Sequence, residues 1–160
     1  MSALAALFQR FEDGTDARMS IPASEDDLRR LDEALGRPLP APLRALLREV
    51  GGGLFAGGHE IFGPSRVMIH DIELVPDLLT VRARLASEGV LEPHCVPFHR
   101  SGATFHLMRT EGPGAGSIVS LPSGSVWADL ASFVEQVLLC PTVGLERAIG
   151  SVRLPRMERT

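Results

Sequence analysis

The sequence contains no lysine and no tyrosine, and it has only two cysteines, Cys95 and Cys140, and one tryptophan, Trp127. Two cysteines outside a paired ligand motif form neither a disulfide framework nor a zinc site, so we expect reduced thiols. All 16 positively charged side chains are arginines. We attribute this bias to the codon usage of a GC-rich genome and not to function.

Long apolar runs are also absent, since none approaches the roughly 20 residues that a membrane-spanning helix needs. The apolar stretch from Ala3 to Phe8 has no positive charge before it and is followed by Arg10, Glu12 and Asp13. A secretory signal has the opposite arrangement of charge and a longer apolar core. We therefore expect a cytoplasmic protein.

Positive charge is not clustered, and the net charge is −4. Only the last ten residues are basic, with Arg153, Arg156 and Arg159 against Glu158. Proteins that bind DNA or RNA need clustered Lys and Arg, so we expect no direct nucleic acid binding. A length of 160 residues, with 44% hydrophobic and 22% charged residues, fits one soluble globular domain,.

Hydrophobic periodicity predicts an α+β domain. The predicted helices cover residues 2–12, 24–35, 42–50, 76–88 and 129–138. The predicted strands cover residues 60–62, 67–70, 95–99, 104–109 and 117–121. We interpret the glycine-rich stretch 51–58 as a flexible loop. Short connections between strands favour a single central antiparallel sheet of about five strands, with helices packed mainly on one face.

His94, Cys95, His99 and His106 are the side chains that could bind a metal ion or act in catalysis. On a regular strand Cys95 and His99 would share one face, and His94 would point to the other. No known metal-ligand spacing and no nucleophile elbow G-x-S-x-G is present,. We therefore expect no metal, no cofactor and no catalytic site, and we expect these histidines to be hydrogen-bonded or at the surface.

Short apolar motifs occur in a recognisable order: Leu35-Gly36-x-x-Leu39-Pro40, Leu43-Arg44-x-Leu46-Leu47, Gly51-Gly52-Gly53, Val96-Pro97-Phe98 and Leu130-Ala131-Ser132-Phe133-x-x-x-Val137-Leu138. Together they resemble the SUKH superfamily, which includes a fungal cell-wall-synthesis regulator and many bacterial immunity proteins. The chain departs from the family pattern at Pro42, Leu43 and Gly51, where an acidic residue, an aromatic residue and an asparagine are frequent. The resemblance divides the chain into an N-terminal helical extension (1–23), a SUKH-like domain (24–139) and a C-terminal tail (140–160).

The resemblance implies a non-catalytic domain that binds a protein, which in bacteria is typically a polymorphic toxin. A basic nuclease toxin would complement the acidic charge of this chain. Two alternatives remain open: a regulatory or scaffolding module, and an enzyme that uses the histidines and Cys95. Trp127 fits the core better than an interface. The candidate partner contacts are Glu60, Asp71, Glu73, His99, Arg100 and Trp127.

Overall fold

The computed structural model describes residues 17–55 and 57–138, and its helices lie close to the predicted positions. The helices are α1 Glu25–Leu35, α2 Ala41–Glu49, α3 Leu78–Ser87 and α4 Leu130–Phe133, the last continued by a π-helical turn, Val134–Leu138. The predicted helix over 2–12, Cys140 and the tail 140–160 lie outside the described residues.

Side-chain caps mark the starts of α1, α3 and α4. The Ser24 hydroxyl accepts a hydrogen bond from the Asp27 amide, and the Asp27 carboxylate accepts one from the Ser24 amide, both at 3.1 Å. This reciprocal pair is a capping box. Asp77 and Asp129 each accept an amide hydrogen bond at the starts of α3 and α4,. Gly36 ends α1 with a φ of 77°, a left-handed conformation that favours glycine.

The strands are β1 Ala17–Ile21, β2 Gly52–Phe55, β3 His59–Ile61, β4 Val67–Ile69, β5 Ile72–Val75, β6 Cys95–Ser101, β7 Thr104–Arg109, β8 Ile118–Leu121 and β9 Val126–Trp127. Seven of them form an antiparallel sheet in the order β1-β2-β3-β6-β7-β8-β9, and β4 and β5 form a separate hairpin. The α+β class is confirmed, whereas about five strands was too low a number. β1 lies within the range 1–23 that the resemblance assigns to a helical extension.

Strand β2 occupies part of the glycine-rich stretch 51–58 and pairs with both β1 and β3. The glycines there allow backbones to approach closely. A Cβ on Gly52 would lie 2.5 Å from the backbone nitrogen of Gly63, and one on Gly51 would lie 2.0 Å from the carbonyl oxygen of Ile21. The prediction of a flexible loop over this whole stretch was therefore wrong, because these two glycines serve close packing.

The predicted strands 60–62 and 67–70 are neighbours in the sequence but not in a sheet. β3 pairs with β2 and β6, whereas β4 pairs with β5, with Ile69 opposite Ile72. The tip of this β4–β5 hairpin is exposed, since 65% of Ile72 is accessible to solvent. The hairpin is therefore a separate sheet with an exposed tip, whereas Val67 and Val75 at its base are buried in the core.

A β-bulge divides β6 at the centre of the sheet. The register against β7 shifts by one residue between Pro97 and His99. Side chains alternate between the two faces of a strand, and an inserted residue reverses that alternation. Cys95 and His99 therefore lie on opposite faces, contrary to the expectation for a regular strand.

Helices cover both faces of the sheet at β7. The guanidinium of Arg84 on α3 lies 5.7 Å from the ring centroid of Phe105, whereas the Phe133 ring of α4 lies 4.7 Å from that of His106. Phe105 and His106 are consecutive residues of one strand, so they point to opposite faces. The expectation of helices mainly on one face was therefore wrong at this strand, because both faces of the central strands are apolar and need cover.

The apolar stripes predicted for the helices face the core. Leu46 of α2 and Phe133 of α4 are both fully buried, as the helical periodicity predicted. Leu28 and Leu31 of α1 belong to the same hydrophobic cluster. Among the described residues, no helix combines the length and the hydrophobicity required to cross a bilayer.

Candidate functional site

Three histidines form a hydrogen-bonded row across adjacent strands of the sheet. His59 starts β3, His99 lies on β6 and His106 lies on β7. Nδ1 of His59 is 3.0 Å from Nε2 of His99, and Nδ1 of His99 is 2.9 Å from Nδ1 of His106. We call the side of the sheet that carries these rings the histidine face.

The hydrogen bonds of this row are satisfied when the rings are neutral. A neutral imidazole has one N–H donor and one nitrogen acceptor. Because both nitrogens of His99 are in contact with neighbouring rings, His99 donates to one neighbour and accepts from the other. A neutral His99 thus uses both ring nitrogens in hydrogen bonds within the row.

Aromatic rings cover the row on the side of α4. The Phe133 centroid is 5.2 Å from that of His99, and the Trp127 centroid is 5.3 Å from that of His106. His99 is 0% exposed and His106 is 4% exposed. Burial lowers the pKa of His106 to about 4, with a smaller effect of His59, and burial lowers the pKa of His99 well below its usual range,. The two buried rings are thus neutral at pH 7.

This row does not have the geometry of a metal site. A bound metal needs ligand atoms that converge on one point, whereas His99 directs its two nitrogens to two different neighbours,. Within 17–55 and 57–138, no three or more His, Cys, Asp or Glu side chains are grouped to hold a metal ion. The expectation of hydrogen-bonded histidines is confirmed for His99 and His106.

Cys95 is separated from the histidine row by the sheet itself. It lies on the other face, in a small apolar cluster with Leu107 and Val119. Burial raises the pKa of its thiol to about 11, and the charge of Glu92 adds to the shift. A catalytic cysteine requires a thiolate with a base nearby, so the histidines and Cys95 that the sequence groups together do not form one site.

His94 belongs to a polar network that the sequence did not reveal. Its Nδ1 lies 2.7 Å from one carboxylate oxygen of Glu111, and Arg37 donates a hydrogen bond to the other oxygen. Arg37 and His94 also line a cavity of about 180 Å³ beside Cys95. The three members of this network come from distant parts of the chain, and no local pattern in the sequence links them.

The opposite side of the sheet carries charged side chains, and we call it the arginine face, defined by Glu60, Arg100, Phe105 and Arg84. Arg100 donates from Nε and Nη2 to the two carboxylate oxygens of Glu60, both at 2.7 Å. This bidentate hydrogen bond raises the pKa of Arg100,. The guanidiniums of Arg100 and Arg84 lie 5.6 Å and 5.7 Å from the centroid of Phe105, which is cation–π distance.

The candidate partner contacts differ in accessibility. The side chains of Glu60 and Arg100 bind each other and are 12% and 24% exposed. His99 is fully buried, so it cannot contact a partner in this conformation. Trp127 is half-buried, and its Nε1–H donates a hydrogen bond to Gln136 at 3.2 Å.

Asp71 and Glu73 lie on the exposed β4–β5 hairpin. The Glu73 side chain is 45% exposed and lies 3.9 Å from Arg66, which is a weak surface ion pair. Ile69 and Ile72, at the same tip, are 39% and 65% exposed. The hairpin thus presents acidic and apolar side chains together, although no sequence pattern identified it as a hairpin.

Comparisons with known proteins agree with this architecture. The model of the SMI1 / KNR4 family (SUKH-1) matches residues 22–139. Four chains of solved structures match. One of them is described as the crystal structure of a protein from Pseudomonas syringae pv. tomato. It is 15% identical, with a TM-score of 0.64, and the match covers 83% of this chain and 96% of that one. No curated protein matches.

At 15% identity the bacterial structure supports the fold alone. The family match supports membership of a family as well as the fold, because it covers the caps of α1, the core strands and α4 in one continuous range. The motifs that resemble the SUKH superfamily all fall within this range. The chain belongs to the SMI1 / KNR4 family (SUKH-1).

Proposed function

We propose that this protein is a cytoplasmic immunity protein that binds a cognate bacterial toxin with one-to-one stoichiometry and neutralises it. The observation that carries the proposal is the family match over residues 22–139. The family resemblance implies a protein-binding domain, and in bacteria the bound protein is typically a toxin. The toxin would act in the cell that makes both proteins, which gives the immunity protein its place in the cytoplasm.

The chemistry of the described side chains favours binding over catalysis. His99 and His106 are neutral, buried and engaged with each other. The Cys95 thiol, with its pKa raised to about 11, is protonated at neutral pH. A nucleophile, a base and an orienting group are the parts that an enzyme of this kind would need together. The separation of Cys95 from the histidines therefore supports the binding proposal over the enzyme alternative.

The surface of the β4–β5 hairpin supplies a contact region for a basic partner. Asp71 and Glu73 carry negative charge beside the exposed Ile72, and the whole chain has a net charge of −4. A nuclease toxin needs a basic surface for its substrate, and complementary charge accelerates association. An interface of ordinary size covers about 800 Å² on each partner, enough to include the hairpin and its neighbours.

Co-expression with the product of a neighbouring toxin gene tests this proposal. We expect growth to be restored and a one-to-one complex to appear by native mass spectrometry with a catalytically inactive toxin. The matched control is the Phe133→Asp variant, which places a charge in the core and should lose both activities. If the folded wild-type chain neither restores growth nor forms a complex with such toxins, the regulatory or scaffolding alternative replaces the immunity proposal.

A further inference from the structure

Phe105 on the arginine face lies between two guanidinium groups from different elements. Arg84 approaches from α3 and Arg100 from β6, at 5.7 Å and 5.6 Å from the ring centroid. Arg100 also lies 5.9 Å from the ring of Phe62, which itself is 6.2 Å from Phe105. The aromatic rings restrict both cations to this region before any ligand arrives, which reduces the entropy lost on binding.

The charges at this place do not balance. Glu60 engages Nε and Nη2 of Arg100, which leaves the Nη1 group of that guanidinium available. Within the described part of the chain, no carboxylate lies within ion-pair distance of Arg84, which is exposed. Glu73 also borders this place, but its described ion pair is with Arg66, at 3.9 Å. Arg84 is therefore left without a carboxylate partner. A second carboxylate would complete the pairing.

A cavity of about 190 Å³ adjoins these two arginines. Its walls include the apolar side chains of Leu74, Pro76 and Val81, and Thr80 and Glu73 complete the lining. The volume is several times the roughly 30 Å³ that one water occupies in the liquid, so a side chain of moderate length fits. Apolar walls with a cationic end match the methylene groups and the carboxylate of an acidic side chain.

The geometry points to this cavity as the receptor for a glutamate or aspartate side chain of a protein partner, with Arg84 and the Nη1 group of Arg100 as the hydrogen-bond donors. The inference rests on the proposed protein-binding function and specifies one contact of it. Leu74 of β5 lies on the same strand as the exposed Ile72. An apolar residue of the partner next to its acidic residue would therefore meet the hairpin, while the acidic residue enters the cavity.

Two capped tripeptides serve as probes, Leu-Glu-Leu and its isostere Leu-Gln-Leu, and binding is followed by NMR of the backbone amides and of the arginine Nε–H groups. We expect the glutamate peptide to shift the signals of Arg84, Arg100 and Phe105. We also expect the glutamine peptide to bind about tenfold more weakly, since its neutral amide loses the charge-assisted hydrogen bonds.

Arg84→Gln should abolish these shifts, whereas Arg82→Gln should leave them unchanged. Arg82 is the matched control, because it lies on the same helix but does not line this cavity. Like Arg84, it forms no ion pair with the described residues. Equal affinity for the two peptides, shifts located elsewhere, or shifts that persist in Arg84→Gln would each overturn the inference. Arg84→Gln should retain the melting temperature of the wild-type chain, because its side chain is exposed,.

The outcome is separable from that of the immunity proposal. A toxin that binds the wild-type chain and Arg84→Gln equally well would refute the cavity as a contact and leave the immunity function standing. If the glutamate peptide binds selectively but no toxin complex forms, the cavity is supported as a receptor for acidic side chains. Only the immunity function is then contradicted.

Discussion

The two faces of the central sheet carry opposite chemistry, although alternating residues of the same strands form them. In each of β3, β6 and β7, one residue points to the histidine face and its neighbour points to the arginine face. These pairs are His59 and Glu60, His99 and Arg100, and His106 and Phe105. On the first face the polar groups are neutral and engage one another. On the second they are charged and partly accessible.

The difference follows from what covers each face. Phe133 and Trp127 close the histidine face, and a buried polar group is tolerated there only if it is hydrogen-bonded. The arginine face borders an open cavity, where water and a partner can solvate charge. Stability is therefore expected to depend on the histidine face, and recognition on the arginine face and the adjoining hairpin.

Removing the cover of the histidine face should have the largest effect. Phe133→Ala deletes a fully buried ring that contacts both His99 and His106. We expect the free energy of unfolding to fall by about 3 to 5 kcal/mol, measured by denaturant unfolding. Val126→Ala, at a side chain that is 56% exposed, is the control and should change stability by about 0.5 kcal/mol or less. Equal stabilities for the two variants would contradict the role given to Phe133.

Acid should destabilise the protein through the histidine face. Histidine has an ordinary pKa of 6.5, and that of His106 falls to about 4 in the folded chain. Below pH 6.5 the unfolded chain binds protons that the folded chain does not, so stability is lost as the pH falls towards 4. Between pH 7 and pH 5 the shift of His106 corresponds to a loss of about 2 kcal/mol.

Two variants sharpen this pH test. His106→Asn keeps a hydrogen-bonding group but does not titrate, and it should reduce the dependence of the unfolding free energy on pH to the part that His99 contributes. Val126→Ala alters an exposed side chain and removes no titratable group, and it should retain the wild-type slope. A wild-type slope in His106→Asn would assign the acid sensitivity to other groups.

Glu60→Lys should destabilise the arginine face, with a smaller effect than Phe133→Ala. The change replaces an acceptor that is only 12% exposed and places a positive charge beside Arg100. We expect a loss of about 2 kcal/mol, below the value for a fully buried ion pair because the site is partly solvated. Thermal unfolding measures it, with Asp71→Lys on the exposed hairpin as the control. A stable Glu60→Lys variant would mean that the Glu60–Arg100 pair contributes nothing to the fold.

The smallest effect on stability, with a clear effect on kinetics, is expected for the double variant Asp71→Lys and Glu73→Lys. Both residues are exposed, so stability should change by about 0.5 kcal/mol or less. Association with a basic toxin should slow about tenfold at low salt and much less at high salt, because long-range attraction is lost. Stopped-flow binding at two ionic strengths measures this. Unchanged rates would place the contact away from the hairpin.

The sequence predicted the parts of the fold that depend on local patterns. Helix α1 follows from the cap at Ser24 and the stop at Gly36, and the α4 phase follows from the spacing around Phe133. The family motifs are also local, so the resemblance was visible. The burial of Leu46 and Phe133 is confirmed for the same reason.

Most features that depend on distant residues were not predictable from the sequence. The bulge in β6 reverses the faces of Cys95 and His99. Pro97, at the register shift, is the local signal that could have indicated it, because proline inside a central strand is typical of a bulge. In the sequence, β2 looks like a loop because it begins with glycines. The structure shows that Gly52 is required there, because the backbone of Gly63 packs closely against it. The histidine row joins β3, β6 and β7, and His59 lies 40 positions before His99. Glu60 looked like a free surface acid for the same reason, since its partner Arg100 is equally remote.

Hydrogen exchange of the chain, alone and in complex with an inactive neighbouring toxin, tests most directly whether this family member recognises its partner through the arginine face. We expect a one-to-one complex with new protection over residues 67–87, which include the β4–β5 hairpin and α3. Residues 130–138, which cover the histidine face, should exchange equally in both states. Protection confined to 130–138, with none over 67–87, would contradict the division between a closed stabilising face and an open recognition face.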